Sequence, residues 1–389
     1  MVIIHICHLK TCSVELAPAV THIFNISINT GVLPEDWRNA DIAPIFKKGN
    51  KYEAANYRPV SLTSVCCKTL EHIICRHILQ HLEKHRILSN LQHEFRSGHS
   101  CESQLIITME DIMRRYDQKK QVDLVILDFS KAFDTVPHRK LLHKLRNYGI
   151  HGNFNILRWI SSFLMDRQQR VVVEGETSTK CAVDSGVPQG TVLGPLLFLC
   201  HINDLPLSVS SHVRLFADDC LLYREINCHS DHIQLQEDLK SLELWARKWG
   251  MKFNATKCYL MSIHRSRSPS SYLYSHNNHI LKQVQDNPYI GVQISEDLKW
   301  TTYINKICNR ANSILGFIRR NLQHSNRNFK ETAYVSLVRS ILDYASIVWD
   351  PSMKKDIDKI EGIQRRAARF VMNDYSRKSS VTEMMRQLH

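Results

Sequence analysis

The sequence predicts an α+β fold in which a small antiparallel sheet is backed by helices, and three observations carry that prediction. The stretch "VDLVILDF" (122–129) is nearly continuous apolar and β-branched, the pattern of a strand covered on both faces. The stretch "VRLFADDCLLY" (213–223) sets apolar residues on both sides of Asp218 and Asp219, which marks a strand, a two-residue turn carrying two carboxylates, and a return strand. Helical periodicity dominates most of the remaining chain, above all after Trp300.

Taken in order, Val20, Ile23, Phe24 and Ile28 recur at helical spacing between Ala17 and Asn29, and Gly31 and Pro34 end that helix. In "DIAPIFKKGN" (41–50), Ile42, Pro44 and Phe46 alternate before Gly49-Asn50 turns the chain, so an extended element should end on Lys47 and Lys48. A long helix from Val65 to Leu88 should bury Leu70, Ile73, Ile74, Ile78 and Leu82. A second helix covers Ser103 to Tyr116. In the strand that follows, side chains alternate, so Val122, Leu124, Ile126 and Asp128 share one face and Asp128 sits at a buried strand end.

Helices are expected from Arg139 to Asn147, from Phe154 to Met165, and from Leu193 to Leu205, with an extended pair in 169–190 between the last two. Ile233 to Trp249 is amphipathic, with Leu235, Leu239, Leu242 and Trp245 on one face. The Ser-rich "HRSRSPSSYLYSHNN" (264–278) reads as an exposed loop, and "YIGVQISEDLKW" (289–300) as a short strand and turn. Near the C-terminus Ile357, Ile360, Ile363, Ala367 and Phe370 trace one helical face.

The chain has 389 residues, 43% hydrophobic and 23% charged, enough to bury a full core. A formal charge of +13 suits a polyanionic partner, and the last ninety residues carry roughly eight of those net charges. The 12 cysteines show no C-x-x-C repeat and no spacing of a secreted disulfide scaffold, which suits a reduced, intracellular protein. His5, Cys7, His8 and Cys12 match no common zinc spacing. The apolar N-terminal stretch lacks a cleavage site, and no segment has the roughly 20 apolar residues that span a bilayer, so no membrane association is expected.

Two adjacent carboxylates at a hairpin tip, with a third on a buried strand end, raise one another's pKa unless a cation sits among them. Two Mg²⁺ ions about 3.5 to 4 Å apart would resolve that conflict and clamp the attacking and leaving oxygens of an in-line phosphoryl displacement. Any single Asp in a turn is explained by turn chemistry alone. It is the order that is distinctive: a strand-end Asp128, then an apolar hairpin tipped with Asp218 and Asp219.

Here the chain resembles the reverse transcriptases of non-LTR retrotransposons, most closely the jockey-like group. The resemblance rests on "GVLPEDWRNADIAPIFKKGN", "NYRPVSL", "LDFSKAFDTVPH", "SGVPQGTVLGPLLF", "LFADDCLLY", "WARKWGMKFNATKC" and "YIGVQISEDLKW" in the family's order. It implies a right-hand polymerase with α/β fingers, an antiparallel-sheet palm backed by helices, and a helical thumb. The implied division is a truncated leader helix in 1–27, fingers and palm in 28–294, and thumb plus extension in 295–389.

By the same resemblance Asp128, Asp218 and Asp219 are the catalytic, metal-binding acids, served by two Mg²⁺ ions with Mn²⁺ as a possible substitute. Phe133 falls where an aromatic lies beneath the sugar of the incoming nucleotide and excludes a 2′-hydroxyl; its alternative is simply to pack the following helix. Gln189 and Gly190 match the turn against the templating pair, where Gly allows close backbone approach. Lys47, Lys48 and Arg58 resemble the residues that grip the triphosphate. Lys257 matches the basic residue that protonates pyrophosphate. Arg365, Arg366 and Arg369 would meet the phosphates of the template-primer duplex, the alternative being a solvated face.

The implied partners are an RNA template, a DNA primer and dNTPs, in the nucleus or cytoplasm. The family's full-length elements carry an apurinic-type endonuclease ahead of the polymerase, and this chain starts just before the fingers, so endonuclease function is expected from elsewhere. "FADD" with "PQG" argues against an RNA-copying viral polymerase, and the short tail argues against a group II intron maturase. The rival of another class is a catalytically silent relic that binds RNA through its basic surface.

Overall fold

The computed structural model describes residues 10–150 and 155–388. His5, Cys7 and His8 lie outside the described residues. Helix α1 (Ser13–Thr30) ends where Gly31 takes φ +64°, the left-handed cap that Gly adopts without Cβ strain. Strands β1 (Asn39–Phe46) and β2 (Tyr57–Leu62) form an antiparallel hairpin in which Ile45 faces Arg58. Helix α2 (Val65–Lys84) stops short of the expected Leu88. It buries Leu70, Ile74, Ile78 and Leu82, but Ile73 is 43% exposed, because the residue beside Ile74 turns about 100° around the axis and off the buried stripe.

Helix α3 (Cys101–Asp117) precedes the central strand β3 (Gln121–Asp128), and α4 (His138–Asn147) and α5 (Ile156–Leu164) follow. Phe154, expected to open α5, lies outside the described residues. Strand β4 (Arg167–Val173) pairs parallel with β1 and antiparallel with both β5 (Glu176–Thr177) and β6 (Cys181–Val183), so the first sheet closes between segments more than a hundred residues apart. Helix α6 (Leu193–Ile202) ends before the expected Leu205, where a separate 3-10 turn begins.

The second sheet is built on β7 (His212–Phe216), β8 (Asp219–Ile226) and, after helix α7 (His229–Trp249), β9 (Tyr259–Ile263). Helix α7 starts before the expected Ile233 because the Asp231 carboxylate accepts from the N–H groups of Asn227 and Cys228 and caps an extra turn. The segment expected to be an exposed loop is one only in part. Tyr274 is fully buried and donates to Asp123 at 2.8 Å, and β10 (Ser275–His276) pairs with β11 (His279–Ile280). Short β12 (Lys282–Gln283) adds to β9 in parallel, and β13 (Asp286–Tyr289) with β14 (Val292–Ser295) makes a hairpin.

The order β12-β9-β3-β8-β7 puts β3 at the centre of a sheet covered on both faces, as its apolar run predicts. On one face Val125, Leu127, Cys220, Leu222 and Leu260 share a core with α2 and α4 to α7. On the other, Val122, Leu124, Leu221, Tyr223 and Met261 share a core with α3 and with the C-terminal helices α8 (Thr301–Asn321), α9 (Arg327–Tyr334) and α10 (Lys354–Met372). The C-terminal helices are thereby anchored to the sheet that carries the acids. Among the described residues no helix is long and apolar enough to cross a membrane.

Candidate active site

In the β3–β8 ladder Asp128 lies directly opposite Asp219, so the two side chains emerge on the same face at the open end of the sheet. Register also corrects the turn: Phe216 pairs with Asp219, leaving Ala217 and Asp218 as the two turn residues and Asp219 as the first residue of β8. Ala217 turns the chain at φ +46° and is fully integrated into the structure: its N–H donates to the Gln92 side chain at 3.0 Å, and Gln92 donates back to its carbonyl at 3.4 Å. Gln92 belongs to a segment that runs along β7, with the Leu215 N–H donating to the Leu91 carbonyl and the His93 N–H to the Leu215 carbonyl. These hydrogen bonds hold the Asp turn at one height over the sheet.

The end of β3 is fixed from its other edge. Phe129 stacks on Phe253 with centroids 4.2 Å apart, the Ser130 N–H donates to the Lys252 carbonyl, and the Asn254 N–H donates to the Asp128 carbonyl, both at 2.7 Å. A tight turn then brings Lys257 back, and its ammonium meets the Asp128 carboxylate at 2.9 Å. That contact, ahead of the cost of partial burial, raises the Lys257 pKa.

Burial pushes the Asp218 carboxyl above the usual range; the negative Asp128 adds to this, while its own backbone N–H, Lys47 and Arg58 oppose it. Asp219 opens to the mouth of the cleft, yet the surrounding protein, then Asp218 and Asp128, push it up to about 6. Glu94, unmarked by any sequence pattern, is pushed up to about 7 by burial and then by Asp218 and Asp219, with Arg58 opposing. Four acids thus crowd one cleft with few counter-charges.

The donors available there are carboxylate oxygens, the type a hard divalent ion prefers, and the raised pKa values of Asp218, Asp219 and Glu94 are the electrostatic cost such an ion would remove. As positioned, no three His, Cys, Asp or Glu groups among the described residues stand close enough to hold a metal ion together. The Lys257 ammonium, 59% exposed, takes the counter-ion role at Asp128 and can withdraw to solvent when a stronger cation competes. By donor type these residues suit a divalent ion, whose binding would have to draw the carboxylates closer than they stand here.

The hairpin tip leans over the same cleft. Lys47 and Arg58 flank the β1–β2 turn, the Lys47 N–H donates to the Asn56 carbonyl, and both cations act on Asp218. Lys48 is exposed beside them and is not among the groups that act on the acids. The loop 185–190 ties this hairpin to the turn holding Phe133. The Gln189 carbonyl accepts from the Ser61 N–H at 2.8 Å, and its side chain donates to Asp134 at 2.9 Å. Gly190 has φ +91°, and an added Cβ would meet the Ser61 carbonyl oxygen and Val60 at 3.0 Å, so the close approach its Gly permits is to strand β2. The half-buried Phe133 ring stacks on Phe198 at 4.3 Å, which fixes its plane.

Arg365, Arg366 and Arg369 lie on α10, and none of their hydrogen-bond or ion-pair partners is one of these acids. Arg365 is exposed and pairs with Glu361 at 3.2 Å, while Arg366 donates to Asn312 of α8 at 2.7 Å. Arg369 is half-buried and donates to the Ser376 carbonyl at 3.0 Å, so its first partner is the chain's own loop. Gln92, Asp134 and Glu71 also shape the site. Glu71 is buried in α2 and accepts from the N–H groups of Val192 and Leu193 at 2.8 and 3.0 Å, fixing the start of α6 behind the 185–190 loop. No local pattern marks any of the three, since each is defined by a partner over forty residues away.

Comparison with known proteins agrees with this geometry. Residues 45–294 match the family described as reverse transcriptase (RNA-dependent DNA polymerase). Similar curated proteins include the probable RNA-directed DNA polymerase from transposon BS of Drosophila melanogaster, 28% identical over 93% of this chain and 41% of that protein. The RNA-directed DNA polymerase from the mobile element jockey of the same organism is 26% identical over 90% of this chain and 39% of its own length. This chain therefore spans about two fifths of the curated relatives it matches. An apo telomerase from Candida tropicalis superimposes with a TM-score of 0.51 at 12% identity, covering 97% of this chain and 66% of that one, a likeness of fold that identifies the right-hand polymerase architecture. With the acids on one sheet end, the basic hairpin above them and the family match across most of the chain, the protein belongs to the reverse transcriptase family, in the group found in non-LTR retrotransposons.

Proposed function

We propose that this chain is the RNA-directed DNA polymerase portion of a non-LTR retrotransposon protein, adding dNTPs to the 3′-hydroxyl of a DNA primer paired to an RNA template. The observation that carries this reading is the cross-strand pairing of Asp128 with Asp219, with Asp218 on the adjoining turn beneath Lys47 and Arg58. Divalent metal dependence goes with the family, and two Mg²⁺ ions, replaceable by Mn²⁺, are our specific assignment. Held by Asp128 and Asp218 with Asp219 beside them, such ions would polarise the phosphoryl group and favour the ionised primer hydroxyl.

The chain's own residues supply the rest. Lys47 and Arg58 offset the charge of the triphosphate, and Lys48 extends that basic edge. Phe133, held flat by Phe198, limits the sugar to one without a 2′-hydroxyl. Lys257 carries a proton at neutral pH and stands at the acid cluster, where it can deliver that proton to departing pyrophosphate. All three acids are intact, so the reading as a silent RNA-binding relic has no observation on its side. Nuclear or cytoplasmic action, and an endonuclease contributed from outside these residues, complete the proposal.

The test is primer extension on poly(rA) with oligo(dT), run beside Asp218→Ala. Synthesis that requires a divalent ion and disappears in Asp218→Ala is the expected result. A folded wild-type chain that binds the primer-template and extends nothing would overturn the proposal.

A further inference from the structure

The C-terminal helices enclose a cleft with no place in the polymerase site. It measures about 480 Å³, within the range of small-ligand pockets, and lies between the end of α8, the start of α9 and the end of α10. Its walls hold Arg319 and Arg320 of α8, Lys330 of α9, Phe370 of α10, and Asn373 and Tyr375 just beyond. No carboxylate lines it. Residues 316–375 also lie beyond the segment that matches the reverse transcriptase family.

Lys330 makes this more than a basic surface. It is only 4% exposed, and its ammonium has no ion pair among the described residues; its nearest notable neighbour is the Phe370 ring, 5.1 Å away. Its stem is buried while its ammonium opens to the cleft, so an anion entering there would meet an unpaired cation at close range. Arg319 and Arg320 are exposed on the same rim and likewise have no ion pair among the described residues. Three cations thus converge with no anion present.

Another part of the lining is aromatic and hydrogen-bonded in place. Tyr375 is 54% exposed, and the turn that presents it is fixed at several points: Asn373 takes the left-handed φ +52°, the Ser376 N–H donates to Asp374, and Arg369 donates to the Ser376 carbonyl. Arg369 therefore serves as a brace for this wall. An exposed ring held beside a cationic floor offers a stacking platform next to a phosphate site.

We propose that this cleft binds one nucleotide unit, its phosphate on Arg319, Arg320 and Lys330 and its base against Tyr375. The unit can come from single-stranded RNA or from a free nucleotide, and the chemistry of recognition is the same for both. The proposal is independent of polymerase activity.

Equilibrium binding of the full chain to fluorescein-labelled rA4, to AMP and to inorganic phosphate tests it. The variants are Arg319→Gln/Arg320→Gln, Tyr375→Ala and Asp218→Ala, each first checked for an unchanged melting midpoint. Lys330 is left intact because its replacement could unfold the helices. The expected result is a loss of nucleotide affinity of tenfold or more in the double variant and of threefold or more in Tyr375→Ala, with Asp218→Ala unchanged. Loss for rA4 alone identifies RNA as the source, and an equal loss for AMP identifies the free nucleotide. Binding that neither variant weakens overturns the proposal. So does phosphate binding as tightly as AMP with no effect of Tyr375→Ala, since the cleft would then be a plain anion site.

Discussion

Glu94 and Phe133 make sharp statements at the scale of single residues. The Glu94 carboxyl, at about 7, keeps its proton in the folded chain where the unfolded chain, near 4.3, has lost it. Between those values the folded state binds more protons, so stability falls as pH rises through that window. Glu94→Gln removes the titration. Its melting midpoint should match wild type near pH 4, rise above it between pH 4 and 7, and stay about 1–2 °C higher at pH 8, the discount reflecting partial solvent screening. Scanning fluorimetry across that range in the absence of divalent ions would show it; a difference that does not change with pH would mean that Glu94 acts only through packing. Phe133 is a matter of shape. Its ring lies nearly parallel to Phe198, at 17°, so it cannot swing freely from an incoming sugar. Phe133→Val should raise rNTP incorporation relative to dNTP by tenfold or more, at about 1.4 kcal/mol per factor of ten. Single-nucleotide extension measures that ratio, and an unchanged ratio with normal dNTP activity would leave Phe133 as a packing residue only.

Among the elements, what the sequence disclosed depended on how local the cause was. Strand β3 was readable because burial on both faces requires a continuous apolar run, and α7 because one-sided burial requires a stripe at 3.6-residue spacing. The meeting of Asp128, Asp218 and Asp219 at one sheet end was readable because a strand-end acid and an apolar hairpin tip are local patterns. The segment 91–94 was not, because it has no periodicity and its conformation comes from hydrogen bonds to Leu215 and Ala217, more than a hundred residues on. The parallel β1–β4 pairing and the burial of Tyr274 were hidden for the same reason. Glu71 is an element-scale device of this hidden kind. Its carboxylate satisfies two N–H groups at the start of α6, a helix buried along nearly its whole length. Glu71→Ala strands both donors out of reach of water and should cost about 2–4 kcal/mol in urea unfolding, whereas Glu71→Gln keeps an acceptor and should cost less than half of that. Equal losses in the two variants would mean that side-chain volume, and not the hydrogen bonds, is what matters there.

At the scale of the whole molecule, one sheet organises two cores, and the C-terminal helices are rooted in the second of them. This rooting bears on how the excess of +13 charges can be used. A helix packed on the sheet presents cations to a polyanion only from residues not already committed to the fold. Arg365 meets that condition with just a surface ion pair to Glu361, Arg366 partly, through one bond to Asn312, and Arg369 least, since it braces the turn at Ser376. Affinity for a primer-template should fall steeply with salt, as each neutralised phosphate releases condensed counter-ions. Replacing Arg365 and Arg366 by Gln should move the slope of log affinity against log salt toward zero by about 0.7–0.9 for each residue that touches phosphate. Arg369→Gln should leave the slope nearly unchanged and lower the melting midpoint instead, because its loss frees the 373–376 turn. Binding titrations from about 50 to 200 mM salt separate the two effects. A slope indifferent to Arg365 and Arg366 would take α10 off the nucleic-acid surface and leave duplex affinity to the basic hairpin around Lys47 and Arg58.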